Sequence, residues 1–341
     1  MSLSYRKPGI RLRRLEGAND RMVLDLQRDL RRLGYLATGL DGVFGKKTEQ
    51  ALRALQHDLL FGTKPAKDGQ APVRIAEYNR NRITSADGIL DEKLAEVISE
   101  MLEDARFPKL PECSNPAEVN RSLIGLIEEH AQEVPKPFLA AILKQESGLR
   151  HFSEPSETNA DNFVVVGLDR KSGSPAILSR GYGAGQYTLF HHPPTPEEVS
   201  EFIANPAGNI RRTAALLREK FLHFVNGSTP DTRADDRIAE FGRGPLRRCR
   251  YAPGDPRHLA ACRQCLAEAG STIIQAGATP LYPRAATVYQ PTHTHPEKIY
   301  RGVPVRARIG CDWPYAVRRY NGSGLNSYHY QAKILLHVLN G

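Results

Sequence analysis

Residues 23–56 read VLDLQRDLRRLGYLATGLDGVFGKKTEQALRALQ. Apolar residues recur at helical spacing in the first and last parts of this stretch, which predicts two short amphipathic helices. Residues 34–45 between them are rich in glycine and contain Asp41-Gly42, and such residues favour a tight, structured turn. Thr48 is placed to cap the second helix. The stretch therefore predicts a helix, a turn and a second helix.

The Asp-Gly signal occurs a second time, at Asp87-Gly88, where it precedes a third amphipathic helix at residues 92–102. A polar stretch that contains Pro and Arg separates the second helix from this turn. Residues 107–117 then break the periodicity with three prolines. We expect a first domain at residues 1–106, with a polar insert at about 63–86, and a linker at 107–117.

Helical patterns dominate the remainder of the chain. They cover residues 117–130 and 136–147 and return at 315–339, where Asn321-Gly322-Ser323-Gly324 interrupts them. A β-branched run at 163–168 is followed by a turn that contains glycine, which predicts one small β-hairpin. Helices with one hairpin indicate an α+β arrangement for this part.

The length of 341 residues is sufficient for two domains that each bury a core. We expect the second domain at residues 118–341, with a Cys-containing insert at about 242–311. The predicted fold class is mainly α (α+β). A three-helix domain comes first, and a helical domain with a small β-hairpin follows it.

The charge distribution argues against a nucleic-acid partner. The chain has 47 Lys and Arg against 38 Asp and Glu, a formal net charge of +9. Residues 1–110 hold 20 basic and 16 acidic side chains and the remainder holds 27 and 22, so the excess is spread over the chain. A basic stripe is therefore not indicated, whereas an anionic cell envelope fits the charge. No apolar run approaches the roughly 18 residues of a membrane span.

Residues 20–104 resemble the peptidoglycan-binding module of cell-wall hydrolases, a three-helix fold. The resemblance rests on Val23-x-x-Leu26-Gln27-x-x-Leu30-x-x-Leu33-Gly34-Tyr35, on Asp41-Gly42-x-Phe44-Gly45-x-x-Thr48, on Ala51-Leu52-x-x-Leu55-Gln56, and on Asp87-Gly88 with its helix. It implies peptidoglycan as the partner, and Tyr35, Asp41 and Phe44 as the groups that face a wall fragment. The alternative is that Asp41-Gly42 and Phe44-Gly45 only make the turn that three helices need.

Residues 118–341 resemble the lysozyme-like fold of lytic transglycosylases and goose-type lysozymes. Four segments carry the resemblance, in the order of the family. They are Val134-Pro135 followed by Phe138-Leu139-Ala140-Ala141-Ile142-Leu143-Lys144-Gln145-Glu146-Ser147-Gly148, then Gly181-Tyr182-Gly183-Ala184-Gly185-Gln186-Tyr187, Asn205-Pro206-x-x-Asn209-Ile210, and Arg319-Tyr320-Asn321-Gly322-Ser323-Gly324. The resemblance implies cleavage of the β-1,4 bond between N-acetylmuramic acid and N-acetylglucosamine in peptidoglycan.

Glu146 suits the role of general acid in such a reaction. Cleavage needs a carboxylic acid that is still protonated near neutral pH, so that it can protonate the glycosidic oxygen. Glu146 ends an apolar helix, so we expect its carboxyl to be partly desolvated, and desolvation raises a carboxyl pKa. The alternative is an exposed glutamate at a helix C-terminus.

Glycoside hydrolysis usually uses a second carboxylate, either as the nucleophile or as the base for a water molecule. The candidates are Glu154, Glu157, Asp161 and Asp169. Asp161 lies at the mouth of the predicted hairpin, where the resemblance places the aspartate of goose-type enzymes that hydrolyse. Lytic transglycosylases, by resemblance, use one carboxyl and close a 1,6-anhydro ring, and both routes stay open. The resemblance also implies a set of substrate-binding groove residues: Ser147, Gln186, Tyr187, Tyr320 and Asn321.

We expect the cysteines to stabilise the structure of the insert and to take no part in catalysis. We expect no cofactor to be required for the reaction. Cys249, Cys262, Cys265 and Cys311 could form two disulfides, which we favour, or a structural zinc site. A rival hypothesis is a zinc-dependent peptidase or amidase, motivated by His191-His192 and His293-x-His295, although no His-Glu-x-x-His occurs. A non-catalytic wall-binding protein is the third hypothesis.

The sequence thus predicts a monomeric muramidase that its N-terminal domain holds on peptidoglycan, in the bacterial periplasm or cell wall. The basic start of the chain is not followed by the apolar stretch of a signal peptide. We therefore expect delivery by phage lysis, as for an endolysin, or by a secretion apparatus, as for an antibacterial effector. An effector would have a cognate immunity protein as a second partner.

Overall fold

The computed structural model describes residues 3–14, 21–37, 39–66, 72–153, 165–168, 175–225, 313–322 and 325–340. These residues are mainly helical, with two small antiparallel sheets, which confirms the predicted fold class of mainly α with a small hairpin. They group into two units. The first unit is Met1–Ser122 with Arg150–Asn209, and the second is Leu123–Leu149 with Ile210–Gly341. No helix within the described ranges is long and apolar enough to cross a membrane.

Three helices form the N-terminal part of the first unit, as the sequence predicts. They are α1 (Arg21–Arg32), α2 (Lys46–Phe61) and α3 (Glu92–Glu103). Their apolar faces are buried in one core, because the apolar residues recur every three or four positions. A two-stranded sheet of β1 (Arg11–Leu12) and β2 (Leu90–Asp91) precedes α3, and the Asp91 carboxylate caps α3 by accepting from the Leu94 backbone N–H at 2.8 Å.

The described residues of the polar insert pack against these helices. Its apolar residues are few, yet they are buried in the same core: Val73, Ile75, Tyr78 and Ile83. A short 3₁₀ helix, Ile75–Tyr78, carries two of them. The Arg82 guanidinium donates to both Glu100 carboxylate oxygens on α3, at 2.7 and 2.8 Å. The insert therefore adds apolar burial and a two-point ion pair to the three-helix core.

The remainder of the first unit contains a three-stranded antiparallel sheet. Its strands are β3 (Val165–Leu168), β4 (Ile177–Tyr182) and β5 (Tyr187–Leu189), in the order β3-β4-β5. The β3-β4 pair is the predicted hairpin, and β5 adds a third strand. Two helices complete the part: α4 (Pro116–His130), which continues into the second unit, and α6 (Pro196–Glu198), which runs on as a π-helical turn, Val199–Ile203.

A buried charged cluster joins this sheet to the helices of the first unit. Arg180 on β4 donates from Nε to the Gly34 carbonyl at 2.9 Å, and its Nη2 lies 3.6 Å from Asp58 Oδ2 on α2. The Tyr35 hydroxyl donates to the same carboxylate at 2.9 Å, and the guanidinium lies 5.3 Å from the Tyr35 ring centroid. The sheet and the helices are consequently linked through buried polar contacts, since Arg180, Asp58 and Tyr35 are all at most 5% exposed.

The second unit is helical throughout its described residues. α5 (Lys136–Ser147) packs against α8 (Trp313–Tyr320) and α9 (Leu325–Asn340), and most of α7 (Pro206–Lys220) also belongs to this unit. α5 ends at Gly148, which adopts a left-handed conformation with φ of 68° and donates to the Lys144 carbonyl. Glu146 therefore lies in the last turn of α5.

Candidate functional site

Glu146 is a half-buried carboxyl with one strong hydrogen-bond donor beside it. The Tyr330 hydroxyl, on α9, donates to Glu146 Oε1 at 2.6 Å. Distances in this range are typical of hydrogen bonds between a hydroxyl and a carboxylate. The contact fixes the position of the carboxyl at the end of α5.

Burial raises the pKa of Glu146, and the hydrogen bond from Tyr330 partly opposes that rise. Burial acts because the charged form loses hydration, whereas the hydroxyl stabilises the charged form. Within the described residues, no charged side chain contributes to the shift. The carboxyl consequently holds its proton closer to neutral pH than an exposed glutamate does.

Two tyrosine rings stack next to this carboxyl. The Tyr320 and Tyr330 ring centroids are 6.3 Å apart, with an interplanar angle of 17°. Burial is the main cause that raises the pKa of each tyrosine, and the negative charge of Glu146 adds to it. A hydrogen bond between Tyr320 and Thr213 of α7 opposes the rise for Tyr320. Both hydroxyls therefore stay neutral and able to donate over the physiological pH range.

Tyr330 is not among the residues predicted for the site, although the pattern of α9 contains a signal for it. Tyr330, Ile334, Leu335 and Val338 are all buried and recur at helical spacing. This period places Tyr330 on the face of α9 that packs inwards. A hydroxyl on that face needs a partner, and Glu146 supplies one.

The structure brings Glu146 and Tyr320 together and gives local partners to the neighbouring predicted residues. The Ser147 hydroxyl donates to the Leu143 carbonyl, one turn earlier in α5, at 3.0 Å. Asn321 is exposed directly after α8. Of the predicted groove residues of the second unit, Tyr320 therefore lies close enough to Glu146 for the two to interact electrostatically.

Gln186 and Tyr187 belong to the first unit. The Gln186 backbone is left-handed, with φ of 51°, and its side-chain amide donates to the Gly183 carbonyl at 2.9 Å. The Tyr187 ring packs against Phe202, with centroids 4.6 Å apart. Asn209 joins two of the predicted segments, because it accepts from the Gly185 N–H at 2.8 Å and donates to the Tyr182 carbonyl at 3.0 Å.

The first Asp-Gly turn is built around a buried glutamine of α1. The Gln27 side-chain amide donates to Asp41 Oδ1, to the Val43 carbonyl and to Thr48 Oγ1, each at 3.0 Å. Its side-chain oxygen accepts from the Gly42 N–H at 2.9 Å. One glutamine of α1 therefore bonds to four residues of the turn and of the start of α2.

The second Asp-Gly turn repeats this arrangement with a glutamine of α2. The Gln56 side-chain amide donates to Asp87 Oδ1 at 2.8 Å and to the Ile89 carbonyl at 3.2 Å. Its oxygen accepts from the Gly88 N–H at 2.7 Å. The two turns thus share one hydrogen-bond pattern, in which a helix glutamine holds the Asp-Gly pair that precedes the next helix.

The three predicted anchor residues differ in their exposure. Tyr35 and Phe44 are each 3% exposed, and the Tyr35 hydroxyl donates a hydrogen bond to Asp58. Both side chains therefore fill the core, and neither faces outwards as the sequence analysis expects. Asp41 is exposed at the turn, so it is the one of the three that a wall fragment can reach.

Comparison with known protein families identifies the N-terminal part of the chain. Residues 19–59 match the family described as "Putative peptidoglycan binding domain". The chain carries an N-terminal peptidoglycan-binding module. The match includes α1, the first Asp-Gly turn and most of α2, and with them both glutamines that hold the turns. No curated protein and no solved structure matches the chain.

Several predicted residues lie outside the described residues, beyond the peptidoglycan-binding module. They are Glu154, Glu157, Asp161, Asp169, Cys249, Cys262, Cys265, Cys311, His293 and His295. In the part of the chain that the structure describes, no three His, Cys, Asp or Glu side chains are placed to hold a metal ion. His192 is buried, with its ring edge-on to Tyr35 of the module at 5.2 Å and to Phe107 at 6.1 Å.

Proposed function

We propose that the chain is a peptidoglycan-degrading muramidase, in which Glu146 protonates the glycosidic oxygen between N-acetylmuramic acid and N-acetylglucosamine. The observation that carries the proposal is the pair of Glu146 and Tyr330. Burial raises the pKa of Glu146, which suits a general acid that works near neutral pH. The peptidoglycan-binding module supports the polymer as substrate.

The described residues suggest a role for each group in the first step. Protonated Glu146 gives its proton to the glycosidic oxygen as the bond to the anomeric carbon breaks. The carboxylate that remains accepts the hydrogen bond from Tyr330, which stabilises the charged form. Tyr320, stacked on Tyr330, would support the position of that ring.

The second step has two routes. In transglycosylation, the Glu146 carboxylate takes the proton of the C6 hydroxyl of the sugar, and that oxygen closes a 1,6-anhydro ring on the anomeric carbon. In hydrolysis, a second carboxylate is needed, and Asp161 is the candidate. The mass of the released products distinguishes the two routes.

The peptidoglycan-binding module would hold the catalytic part near its substrate. Tethering replaces free diffusion with an effective concentration, so even a weak site is occupied. A non-catalytic wall-binding protein is the second candidate, and the match at residues 19–59 is the observation that favours it. In either case we propose the bacterial periplasm or cell wall as the place of action, as for an endolysin or an antibacterial effector.

The test is digestion of purified peptidoglycan by the wild type and by Glu146→Gln, with the released muropeptides weighed by mass spectrometry. Glu129→Gln is the matched control, because Glu129 is an exposed glutamate at the end of α4. We expect release by the wild type and the control and none by Glu146→Gln. Products lighter by one water would indicate transglycosylation, and reducing ends would indicate hydrolysis.

Co-sedimentation with the same walls separates the two candidate functions. Glu146→Gln should still pellet with the walls, because the peptidoglycan-binding module is unchanged. Binding without release by the wild type would support the non-catalytic protein and remove Glu146 as the acid. Cut peptide stems in the digest would favour the zinc peptidase hypothesis instead.

A further inference from the structure

A groove with a volume of about 970 Å³ lies within the first unit. Two chain segments line it. One is the segment that follows α2 of the peptidoglycan-binding module, with Lys64 and Pro65, and the other runs from β5 to the π-helical turn after α6. The groove is therefore continuous with the module, although it lies beyond the residues 19–59 that match the family.

Aromatic side chains give the groove an apolar surface. Phe190 is 63% exposed, so most of its ring is available to contact a ligand. The Tyr187 ring packs against Phe202 at 4.6 Å, and both residues line the groove. Exposed aromatic surface that is surrounded by polar groups is typical of a binding site.

A hydrogen-bonded carboxylate holds this surface in place before any ligand arrives. Glu198 Oε2 accepts from the Thr195 backbone N–H at 2.8 Å and lies 2.9 Å from His191 Nε2. Its other oxygen lies 3.5 Å from the Tyr187 hydroxyl, within reach of a long hydrogen bond. Because these contacts with Glu198 hold Tyr187 and His191 in place, a ligand would find part of the groove already ordered.

Charges of opposite sign come from the two segments. Lys64 is exposed on the segment after α2, and Glu197 is exposed on α6. Such a groove suits a ligand that carries both a carboxylate and an ammonium group along an apolar backbone. The sugars of a peptidoglycan strand are neutral, whereas its peptide stem carries free carboxylates and a diamino acid.

We propose that this groove binds the peptide stem of peptidoglycan, with Phe190 against the apolar side chains and Lys64 on a stem carboxylate. The proposal rests on the proposed function only for the identity of the polymer, and not for its cleavage. It makes Phe190 and Lys64 specificity residues for stem chemistry. The glycan strand would be held elsewhere.

The test is isothermal titration calorimetry of the full chain carrying Glu146→Gln, so that no cleavage occurs. The probes are the synthetic peptide L-Ala-γ-D-Glu-L-Lys-D-Ala, the same peptide with the free Glu carboxylate amidated, and an N-acetylglucosamine tetramer. Phe190→Ala and Lys64→Ala should each raise the Kd for the first peptide by about tenfold. Phe61→Ala is the matched control, since Phe61 is 74% exposed and does not line the groove.

Amidation should weaken binding to the parent protein and should make no further difference to Lys64→Ala, because both changes remove the same ion pair. The proposal is overturned if the peptide does not bind, if Phe190→Ala binds it as the parent does, or if the sugar tetramer binds and loses affinity on Phe190→Ala. Peptide binding by a chain whose wild type releases no muropeptides would leave this proposal standing and remove the proposed muramidase activity.

Discussion

Tyr330 donates a hydrogen bond of 2.6 Å to Glu146 although 184 residues separate the two along the chain. The contact joins the last turn of α5 to α9, the last helix of the described residues. Burial favours the protonated form of Glu146, whereas the hydrogen bond favours its charged form. The balance of these two effects sets the pH range in which Glu146 can act as an acid.

Removing the Tyr330 hydroxyl should move the proposed muramidase activity to higher pH. Tyr330→Phe deletes the group that lowers the pKa of Glu146, so the pKa rises further and the acid stays protonated at more alkaline pH. We expect the alkaline limb of the pH–rate profile to shift upwards, with a rate at the optimum about tenfold lower because the carboxyl is less well positioned. Clearing of a wall suspension measures the rate.

Tyr78→Phe is the matched control for that prediction. It deletes a tyrosine hydroxyl that donates to a carboxylate, Asp104, in the first unit. Its pH–rate profile should coincide with that of the wild type. An unchanged pH–rate profile for Tyr330→Phe would mean that the Tyr330 hydroxyl does not affect the pKa of Glu146 and that the ring contributes only packing.

Glu146→Gln should stabilise the protein at neutral pH. The folded-state pKa of Glu146 is raised, so its favourable contribution is complete below the unfolded-state pKa and is lost as the pH rises through the folded-state pKa. Glutamine does not ionise, so the variant does not lose this contribution as the pH rises. We expect its free energy of unfolding at pH 7 to be about 1 kcal/mol higher than that of the wild type. The difference should vanish at about pH 4 and below.

Thermal unfolding at both pH values measures this effect. Glu129→Gln, on the exposed surface, should leave the stability unchanged at either pH. Equal stability of Glu146→Gln and the wild type at pH 7 would contradict the claim that burial of the charged Glu146 carboxylate destabilises the protein.

Gln27→Ala should destabilise the peptidoglycan-binding module. Gln27 is buried, and its loss leaves the Gly42 N–H without its acceptor and removes one of the donors to the Val43 carbonyl. We expect a loss of about 3 kcal/mol, measured by denaturant unfolding. Gln50→Ala, at a partly exposed position in α2, should change the stability by less than about 0.5 kcal/mol. A loss for Gln27→Ala as small as that of the control would contradict its role in the turn.

Asp41 and Asp87 provide a matched pair for wall binding. Both are exposed, and each accepts from the glutamine that holds its turn and from the backbone N–H two residues later. If Asp41 contacts peptidoglycan, Asp41→Ala should weaken co-sedimentation with purified walls by about tenfold. Asp87→Ala should bind as the wild type does. Equal losses for the two variants would assign the effect to the turns themselves.

Arg180→Met should destabilise the first unit by about 3 kcal/mol, because it leaves Asp58 buried without its cation. Burial already raises the pKa of Asp58, and loss of Arg180 raises it further. A raised folded-state pKa means that stability is lost as the pH rises, so the deficit of the variant should grow between about pH 4 and pH 7. Adding Asp58→Asn to Arg180→Met should recover part of the lost stability. A deficit that is the same at both pH values would contradict the charge-based explanation.

The helices and the hairpin could be predicted because their signals are local. Apolar spacing in α1 and the β-branched run before β4 each depend on neighbours in sequence. The core residues of the insert could not be predicted in the same way. Ile83 is an isolated apolar residue among polar ones, and its burial depends on the helices against which it packs.

The site was predictable in part for a similar reason. Glu146 follows an apolar helical run, and that run predicts its partial burial. Tyr35 and Phe44 were placed in the wrong environment, because a glycine-rich turn gives no sign of which way an aromatic ring points. The partner of Glu146 depends on how α9 packs on α5, which no local pattern contains.

The two glutamine-held turns also differ in the length of chain that they close. Gln27 lies 14 residues before Asp41, whereas Gln56 lies 31 residues before Asp87. Closing the longer loop costs only about 0.7 kcal/mol more, because loop entropy grows with the logarithm of length. The same glutamine clasp can therefore close segments of very different length, and the longer segment between Gln56 and Asp87 compensates for its entropy by its own burial, through Val73, Ile75, Tyr78 and Ile83.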